Sequence, residues 1–263
     1  MIDKKAAAAV FAAAVAVPAL AGGDKVAFPA NYDKGVLYAT VDRHDIKQFR
    51  ELWATPASAV AAVKAGKPIP SGTVLTLVQF KAKVDDKGAP LKDANGRFQK
   101  GDLVAYTVME KRAGWGAEYG PELRNGEWEY QVFGPGKAVN DKANLKSCFQ
   151  CHKPHAGQDY VISLARLAGT APGAKVTAAS GPDRVAIADF LFGPEKLSLR
   201  KGQYVTWTNT DDSPHQVTIA GEGGTRTPVL LKGQSQALKF TETGTFDYIC
   251  GLHPGMKGRI EVQ

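Results

Sequence analysis

Hydrophobic and polar positions alternate through much of this chain, which predicts β-strands. Residues 73–84 are rich in β-branched and apolar side chains, and every second position falls on the same side. Further strands are predicted at residues 35–41, 103–109 and 127–133. Together these four segments predict a mainly antiparallel sheet in the first half of the chain.

Three segments of this half have the spacing or composition of helices. In residues 45–53 the apolar side chains recur at helical intervals, which predicts a helix. A second helix is predicted over residues 56–64, with Thr55 as its N-cap and Gly66 at its end. A third covers residues 144–154.

The last third of the chain has short alternating segments with turn residues between them, which favours a small β-sandwich. Residues 169–183 are rich in Gly, Pro and Ala and lack a hydrophobic period, as linkers do. We therefore predict a mainly β protein of two domains, an α+β antiparallel-sheet domain over residues 22–168 and a sandwich over residues 184–263. The sandwich strands are predicted at residues 185–190, 197–199, 204–209, 215–219, 237–240, 246–250 and 259–262.

The first 21 residues have the features of an export signal. Lys4 and Lys5 precede an Ala/Val/Phe segment that ends in a small-x-small cleavage pattern. A membrane anchor is the alternative, but the segment is short for a bilayer span and Pro18 lies near its end. We predict a periplasmic protein with no membrane span after signal removal.

The composition is that of a soluble globular protein, with 44% hydrophobic and 22% charged residues among 263. The net charge is +7, but Lys and Arg alternate with Asp and Glu, so nucleic acid is excluded as a partner. The positive balance favours an acidic redox protein as partner. Three cysteines are too few for a disulfide framework.

Cys148, Cys151 and His152 form a C-x-x-C-H motif, the sequence that attaches c-type haem. Cysteines three apart share one side of a helical turn, so both sulfurs can bond the porphyrin vinyl groups, and His152 is the proximal iron ligand. A thioredoxin-like dithiol would need a βαβ context that is missing here. Zinc would need two further ligands. We predict covalently bound haem c.

Three residues of this half are candidates for a sixth iron ligand: His44, His155 and Met109. Each has a structural alternative, because His44 lies in a charged turn, His155 follows the proximal histidine on the same helical side, and Met109 ends a strand. An open distal position is therefore favoured. Open iron binds small molecules.

Residues 31–167 resemble the cytochrome P-460 family, which includes the cytochrome c′-beta proteins. The resemblance rests on the late C-x-x-C-H motif, on Gly72-Thr73-Val74, on residues 109–115 (MEKRAGW) and on residues 124–130 (RNGEWEY). It implies a sheet-rich haem domain, a homodimer formed through that domain, and a five-coordinate c-haem. In this family the haem binds nitric oxide or oxidises hydroxylamine.

Hydroxylamine-oxidising members of the family carry a strand lysine crosslinked to the porphyrin and a distal carboxylate that assists proton removal. By position the lysine falls on Leu77, which cannot crosslink, although Lys81 and Lys83 share its face further along the strand. The carboxylate matches Glu129, whose alternative is a surface strand residue. The resemblance favours the uncrosslinked, gas-binding branch and leaves hydroxylamine chemistry open.

A second set of metal donors lies near the C-terminus. Cys250, His253 and Met256 are spaced Cys-x-x-His-x-x-Met, and His215 precedes the cysteine by 35 residues. Two imidazoles, one thiolate and one weak axial thioether are the ligand set of a blue-copper, or type 1, site. Each residue alone would be read as a core or strand residue. Together they predict copper.

Residues 183–263 resemble the cupredoxins of the amicyanin and plastocyanin type. The resemblance rests on Phe192-Gly193-Pro194, residues 202–209, Pro214-His215 and the ligand loop. Gln216 stands where many relatives carry Asn, which leaves the hydrogen bond that braces the site open.

Both halves predict an exported redox protein in which a c-haem and a blue copper exchange electrons. Three hypotheses stay open. The chain is an electron carrier whose haem also senses or stores nitric oxide, an enzyme that oxidises hydroxylamine or reduces nitric oxide with copper as its relay, or a haem scaffold docked to a larger respiratory partner. Leu77 and Glu129 distinguish the first two.

Overall fold

The computed structural model describes residues 25–170, 183–220 and 224–263. The predicted signal peptide and most of the predicted linker lie outside the described residues. The described chain is mainly β and forms two domains, as the sequence predicts. Within the described ranges, every helix is too short or too polar to cross a bilayer.

The first domain is a five-stranded antiparallel sheet with the strands in chain order. Its strands are β1 Val36–Arg43, β2 Gln48–Thr55, β3 Val74–Ala82, β4 Lys100–Lys111 and β5 Trp128–Phe133. Its helices are α1 Ala57–Lys64, α2 Leu145–His152 and α3 Leu164–Leu167. The predicted antiparallel sheet and the predicted helices near residues 56–64 and 144–154 are confirmed.

The two faces of this sheet have different partners. On one face Leu75, Met109 and Tyr130 pack with Phe149 of α2 and Leu167 of α3. On the other face Val78, Val108 and Phe133 pack with Val26. This division follows the strand alternation, since neighbouring residues of one strand point to opposite faces. The face that meets the helices carries the first candidate site.

The predicted helix over residues 45–53 is wrong, because residues 48–55 form β2. The alternation of this strand is concealed by a charge on each face: Arg50 points to one side and Glu51 to the other. The Glu51 carboxylate accepts hydrogen bonds from Nζ of Lys100 at 2.7 Å and from the indole N–H of Trp53 at 3.2 Å. Cross-strand pairing of β2 with both β1 and β3 outweighs the weak helical spacing.

The second domain is a sandwich of two four-stranded sheets, ordered β10-β12-β13-β8 and β11-β9-β6-β7. The buried core between them includes Val205, Trp207, Tyr248 and Ile260. Strand β7, which the sequence did not predict, is three residues long and too short to show alternation. The strands are β6 Arg184–Ala188, β7 Leu191–Gly193, β8 Lys196–Leu199, β9 Tyr204–Asn209, β10 Val217–Ile219, β11 Ser235–Lys239, β12 Gly244–Cys250 and β13 Lys257–Val262.

The two domains touch along β1 and the turn that follows it. The guanidinium of Arg43 lies 3.9 Å from the centre of the Phe190 ring, and Val41 packs against the core of the sandwich. Arg166 forms an ion pair with Asp212. These contacts place the end of the sandwich that carries the His253 loop against the haem-motif face of the first sheet.

Candidate metal centres

Helix α2 brings the C-x-x-C-H motif to the wall of a cavity of about 330 Å³. Cys148, Cys151 and His152 all line this cavity. The opposite wall is the sheet, and its apolar lining gives a flat hydrophobic group a place to bind. The apolar residues that the sheet contributes to this wall are Val41, Leu52, Leu75, Leu77 and Met109.

The imidazole of His152 is prepared to bind a metal. Its Nδ1–H donates to the carbonyl oxygen of Tyr160 at 2.7 Å, which fixes the tautomer and leaves Nε2 with its lone pair. Burial lowers the pKa of His152 to about 4, so the ring is neutral at physiological pH. The chemistry of the donor set therefore fits an iron porphyrin held by two thioethers and one imidazole.

A carboxylate braces the loop that holds His152. Asp159 accepts from Nζ of Lys111 at 2.6 Å and from the indole N–H of Trp128 at 3.3 Å. Asp159 and Tyr160 both have positive φ, 50° and 59°, so the loop takes an uncommon backbone path. This brace could not be predicted from sequence, because the lysine and the aspartate lie 48 residues apart.

Removing this brace is expected to destabilise the haem domain. Asp159→Ala leaves the ammonium of Lys111, whose side chain is 13% exposed, without its carboxylate, which costs about 1–3 kcal/mol. Glu242→Ala, in the copper domain, is a control that should leave the haem-band midpoint unchanged, because its pair with Lys201 is exposed and is worth less than about 1 kcal/mol. Thermal unfolding followed by circular dichroism of the haem band checks both. Equal midpoints for the two variants would contradict the brace.

The structure separates the three candidates for a sixth iron ligand. Met109 lines the cavity. His44 instead packs on Phe98, with ring centroids 4.5 Å apart, and His155 is buried beside a second cavity that Asp212 also lines. Among the described residues, Met109 is therefore the one candidate of the three that lies on the haem cavity.

The structure also shows where the residues lie that match the family's crosslinking lysine and distal carboxylate. Leu77 lies on the cavity wall, whereas Lys81 and Lys83 are exposed and do not line it. Glu129 is fully buried, so it is no surface carboxylate, and it accepts a hydrogen bond from the Tyr119 hydroxyl at 3.2 Å. It neighbours Tyr130 in β5 and points to the opposite side, away from the described cavity lining. Its distal role stays a prediction.

The second candidate centre lies at one end of the sandwich. Strand β12 delivers Cys250 at its end, and His215 lies two residues before β10, which pairs with β12. His253 and Met256 follow on the loop between β12 and β13. Met256 is buried in the same core as Cys250 and its carbonyl accepts from the Cys250 N–H at 3.2 Å.

The donor atoms converge on one point. Cys250 Sγ lies 3.5 Å from His215 Nδ1 and 3.7 Å from His253 Nδ1, and the two imidazole nitrogens are 3.3 Å apart. Donors that surround one metal in a plane at bond lengths of about 2.0–2.3 Å lie about 3.6 Å from one another. The set therefore fits a single ion.

Hydrogen bonds orient the copper-site donors and favour the protonation states that bind a metal. His215 Nε2–H donates to Asp211 at 2.9 Å, which turns Nδ1 towards the sulfur. Burial alone would raise the pKa of Cys250, but hydrogen bonds with His215 and His253 and from the Gln216 N–H lower it to about 5. The Gln216 side chain donates to the Thr227 carbonyl at 2.8 Å, so it still braces the strand beside the site.

The two candidate centres share one cavity. His253 lines the same cavity as Cys148, Cys151 and His152. Phe190 also lines it and packs edge-on against both copper-site imidazoles, with ring centroids 5.4 Å from His215 and 5.0 Å from His253. This role of Phe190 could not be predicted from sequence, because its side chain carries no metal-binding atom and its position depends on domain docking.

Comparison with known proteins agrees with both halves. The family model described as cytochrome P460 matches residues 29–163, and the model of copper binding proteins of the plastocyanin/azurin family matches residues 182–263. Amicyanin-alpha of Methylorubrum extorquens is 38% identical over 105 residues, which is 38% of this chain and 88% of that protein. Amicyanin of Paracoccus denitrificans is 35% identical over 103 residues, 38% of this chain and 79% of that protein. Plastocyanin of Scenedesmus fuscus is 32% identical over 100 residues, 34% of this chain and 99% of that protein.

The two matches fall on the two structural domains and together span nearly all the described residues. They imply haem c in the first domain and copper in the second. The chain therefore belongs to the cytochrome P460 family through its first domain and, through its second, to the amicyanin and plastocyanin group of cupredoxins.

Proposed function

We propose that this protein moves single electrons between a copper ion and a haem c bound in the same chain. The observation that supports this most is that His253, a candidate copper ligand, lines the cavity that also holds the haem-attachment motif. The proposed copper ligands are His215, Cys250, His253 and Met256. The proposed haem residues are Cys148, Cys151 and His152.

The protein residues support fast one-electron transfer. Copper in such a site supplies a one-electron couple whose ligands are fixed by the protein. Asp211 holds His215, and the Gln216 N–H holds the sulfur of Cys250 at 3.4 Å, so the donor set needs little rearrangement. Phe190 packs against both imidazoles and also lines the cavity that carries the haem-attachment motif.

Docking of the two domains is the feature on which this function depends, and Gly255 tests it. A Cβ at this glycine would lie 2.6 Å from the carbonyl oxygen of Asp45 in the other domain. Gly255→Ala is therefore expected to push the domains apart and to slow electron transfer within the chain by about tenfold or more. Transient absorption after photoreduction of one centre measures the rate.

The matched control is Gly136→Ala, because a Cβ at Gly136 meets nothing within 4 Å. Copper and haem spectra of both variants should equal those of the unmodified protein, which shows that each site is intact. An unchanged transfer rate in Gly255→Ala, with its Cu(II) spectrum also unchanged, would contradict transfer through the docked face.

We further propose that the haem is five-coordinate and binds nitric oxide. The cavity beside His152 is mostly apolar, and of the three haem-domain candidates for a competing ligand Met109 is the one that lines it. Nitric oxide should change the absorption spectrum of the reduced protein, and Met109→Leu should bind it equally well. A low-spin spectrum that nitric oxide leaves unchanged, and that Met109→Leu converts to high spin, would contradict this proposal.

The second candidate function is oxidation of hydroxylamine, with the copper domain as an electron relay. The shared cavity would serve that enzyme equally, but Leu77 occupies the wall and has no nitrogen to bond the porphyrin. Hydroxylamine turnover is therefore expected to be slow or absent. Peptide mass mapping that shows haem bridged to a peptide with Lys81 or Lys83 would put the enzyme first.

We also propose that the protein is exported and that its redox partner is acidic. The features of residues 1–21 support export to the periplasm, and the net charge of +7 supports encounter with an acidic redox protein. The haem domain covers the His253 side of the sandwich, so such a partner approaches from another face. A homodimer through the haem domain is proposed on family resemblance alone.

A further inference from the structure

Two arginines enter the haem cavity from neighbouring strands. Arg43 ends β1 and Arg50 lies in β2, where it pairs across the strands with Val41. Both arginines line the cavity together with Val41 and Leu52, which have the same strand parity. Neither arginine is among the proposed haem-attachment or copper-binding residues.

The two guanidinium groups differ in how their charge is compensated. Arg43 donates two hydrogen bonds to Asp45, at 2.8 Å and 2.6 Å, so its charge is paired. Arg50 donates to the side-chain oxygens of Gln48, at 2.9 Å and 3.1 Å, and of Gln79 at 3.3 Å. These amide acceptors carry no charge, so they solvate Arg50 without neutralising it.

Burial makes the uncompensated charge of Arg50 energetically unfavourable. Desolvation, and then the neighbouring charge of Arg43, lower the pKa of Arg50 to about 9. A cation in such a place is normally matched by an anion, because an unpaired buried charge is strongly destabilising. The other charged or titratable groups on the cavity wall are Tyr38, Tyr130, Cys148, Cys151, His152, Arg166, Asp212 and His253. Asp212 is the one carboxylate of this described lining, and it is already engaged by Arg166.

We propose that Arg43 and Arg50 bind the propionate carboxylates of the haem. The porphyrin fits this role because it brings two carboxylates into an otherwise apolar cavity, and a guanidinium binds a carboxylate through two parallel hydrogen bonds. Arg43 stacks on Phe190 at 3.9 Å, and Phe190 packs on His253. Arg43 thus contacts both a haem propionate and Phe190 of the copper domain.

This assignment is independent of the electron-transfer proposal, since it concerns how the haem is held. The rival occupant is a free oxyanion such as nitrite, which the same guanidinium pair could bind. The two occupants differ in a measurable way. A propionate is part of the haem and changes its reduction potential, whereas a free anion acts only when it is added.

The test is the haem reduction potential of the full chain, measured by optical titration between about pH 5 and 9. In the unmodified protein the propionates should stay ionised, and the potential should vary little with pH. Arg50→Gln removes the cation that stabilises the ionised form, so the propionate pKa should rise by about one unit or more. The potential should then fall and become pH-dependent in this range, and Arg43→Gln should act in the same direction.

Arg50→Lys keeps the charge and should restore most of the unmodified behaviour, which a purely structural role would not require. Arg259→Gln is the matched control, because its pair with Asp247 is exposed on the sandwich and should leave the potential unchanged. Redox-difference infrared spectra of the same proteins should show carboxylate bands that shift in Arg50→Gln. Superimposable potential curves for the unmodified protein and both glutamine variants would overturn the proposal. A saturable response to nitrite that Arg50→Gln abolishes, with no change in potential, would overturn it in favour of a free anion.

Discussion

Cys250→Ser is expected to abolish the intense visible colour of the copper site. That colour comes from charge transfer between a thiolate and Cu(II), and Cys250 supplies the one sulfur with a pKa low enough, about 5, to be ionised beside the two histidines. A serine hydroxyl at this position stays protonated and cannot replace it. Because haem absorbs in the same region, the measurement is the difference spectrum of copper-loaded and copper-free protein, with electron paramagnetic resonance of Cu(II).

Met256→Ala is the matched variant for this experiment. Met256 belongs to the same loop, but an axial thioether contact is long and weak, so the colour should persist while the copper potential shifts. Cys250→Ser should also stop electron transfer between the centres, because no copper couple is left. An intense thiolate band that survives in Cys250→Ser would show that the copper site is misassigned.

The double substitution Cys148→Ala with Cys151→Ala is expected to eliminate covalent haem. Both sulfurs line the cavity beside His152, and no other cysteine of the chain is near them, since Cys250 is buried in the other domain. Acidified organic solvent should extract no haem from the unmodified protein. Mass spectrometry of the double variant should show a chain without attached haem.

The copper domain should survive this loss. Its buried core lies between its own two sheets, and among the described residues of the first domain Val41 is the one apolar side chain that packs against it. The copper spectrum of the double variant should therefore match that of the unmodified protein. Ser147→Ala, which changes a neighbouring cavity residue without touching a thioether, should retain the haem. Haem that extracts intact from the unmodified protein would contradict covalent attachment.

The metal-binding residues could be predicted from sequence because few residue types can do this chemistry. The motif at Cys148 and the spacing of Cys250 and His253 point to haem and copper before any fold is known. The structure brings His215, Cys250 and His253 within 4.8 Å of one another, as those positions require. The two domains and their sheets also follow from alternation of apolar and polar residues.

The error over residues 45–53 has a functional reason. Strand β2 turns Arg50 towards the cavity that the C-x-x-C-H residues also line, where an ordinary strand would carry an apolar residue. When apolar and polar positions are compared along the sequence, a charged residue is assigned to the solvent-facing side. This assignment makes the apparent period of the apolar residues resemble that of a helix. Local rules fail most often where function requires an exception, and this strand is such a place.

Domain docking could not be predicted from sequence at all. Its contacts join residues far apart in the chain, such as Arg43 with Phe190 and Arg166 with Asp212. Each of them has an ordinary role in an isolated domain, either on the surface or in a turn. The shared cavity, and the place of His253 on its wall, exist only when both domains are present.

Photoreduction of the full-length protein with both metals bound tests the central claim most directly. One centre is reduced by a short pulse, and the absorbance of the haem and of the oxidised copper is followed as the electron redistributes. We predict a single first-order exchange whose rate constant does not change when the protein is diluted, because donor and acceptor line one cavity of one chain. A rate that falls in proportion to protein concentration, or haem and copper that exchange no electrons until a second protein is added, would contradict the account.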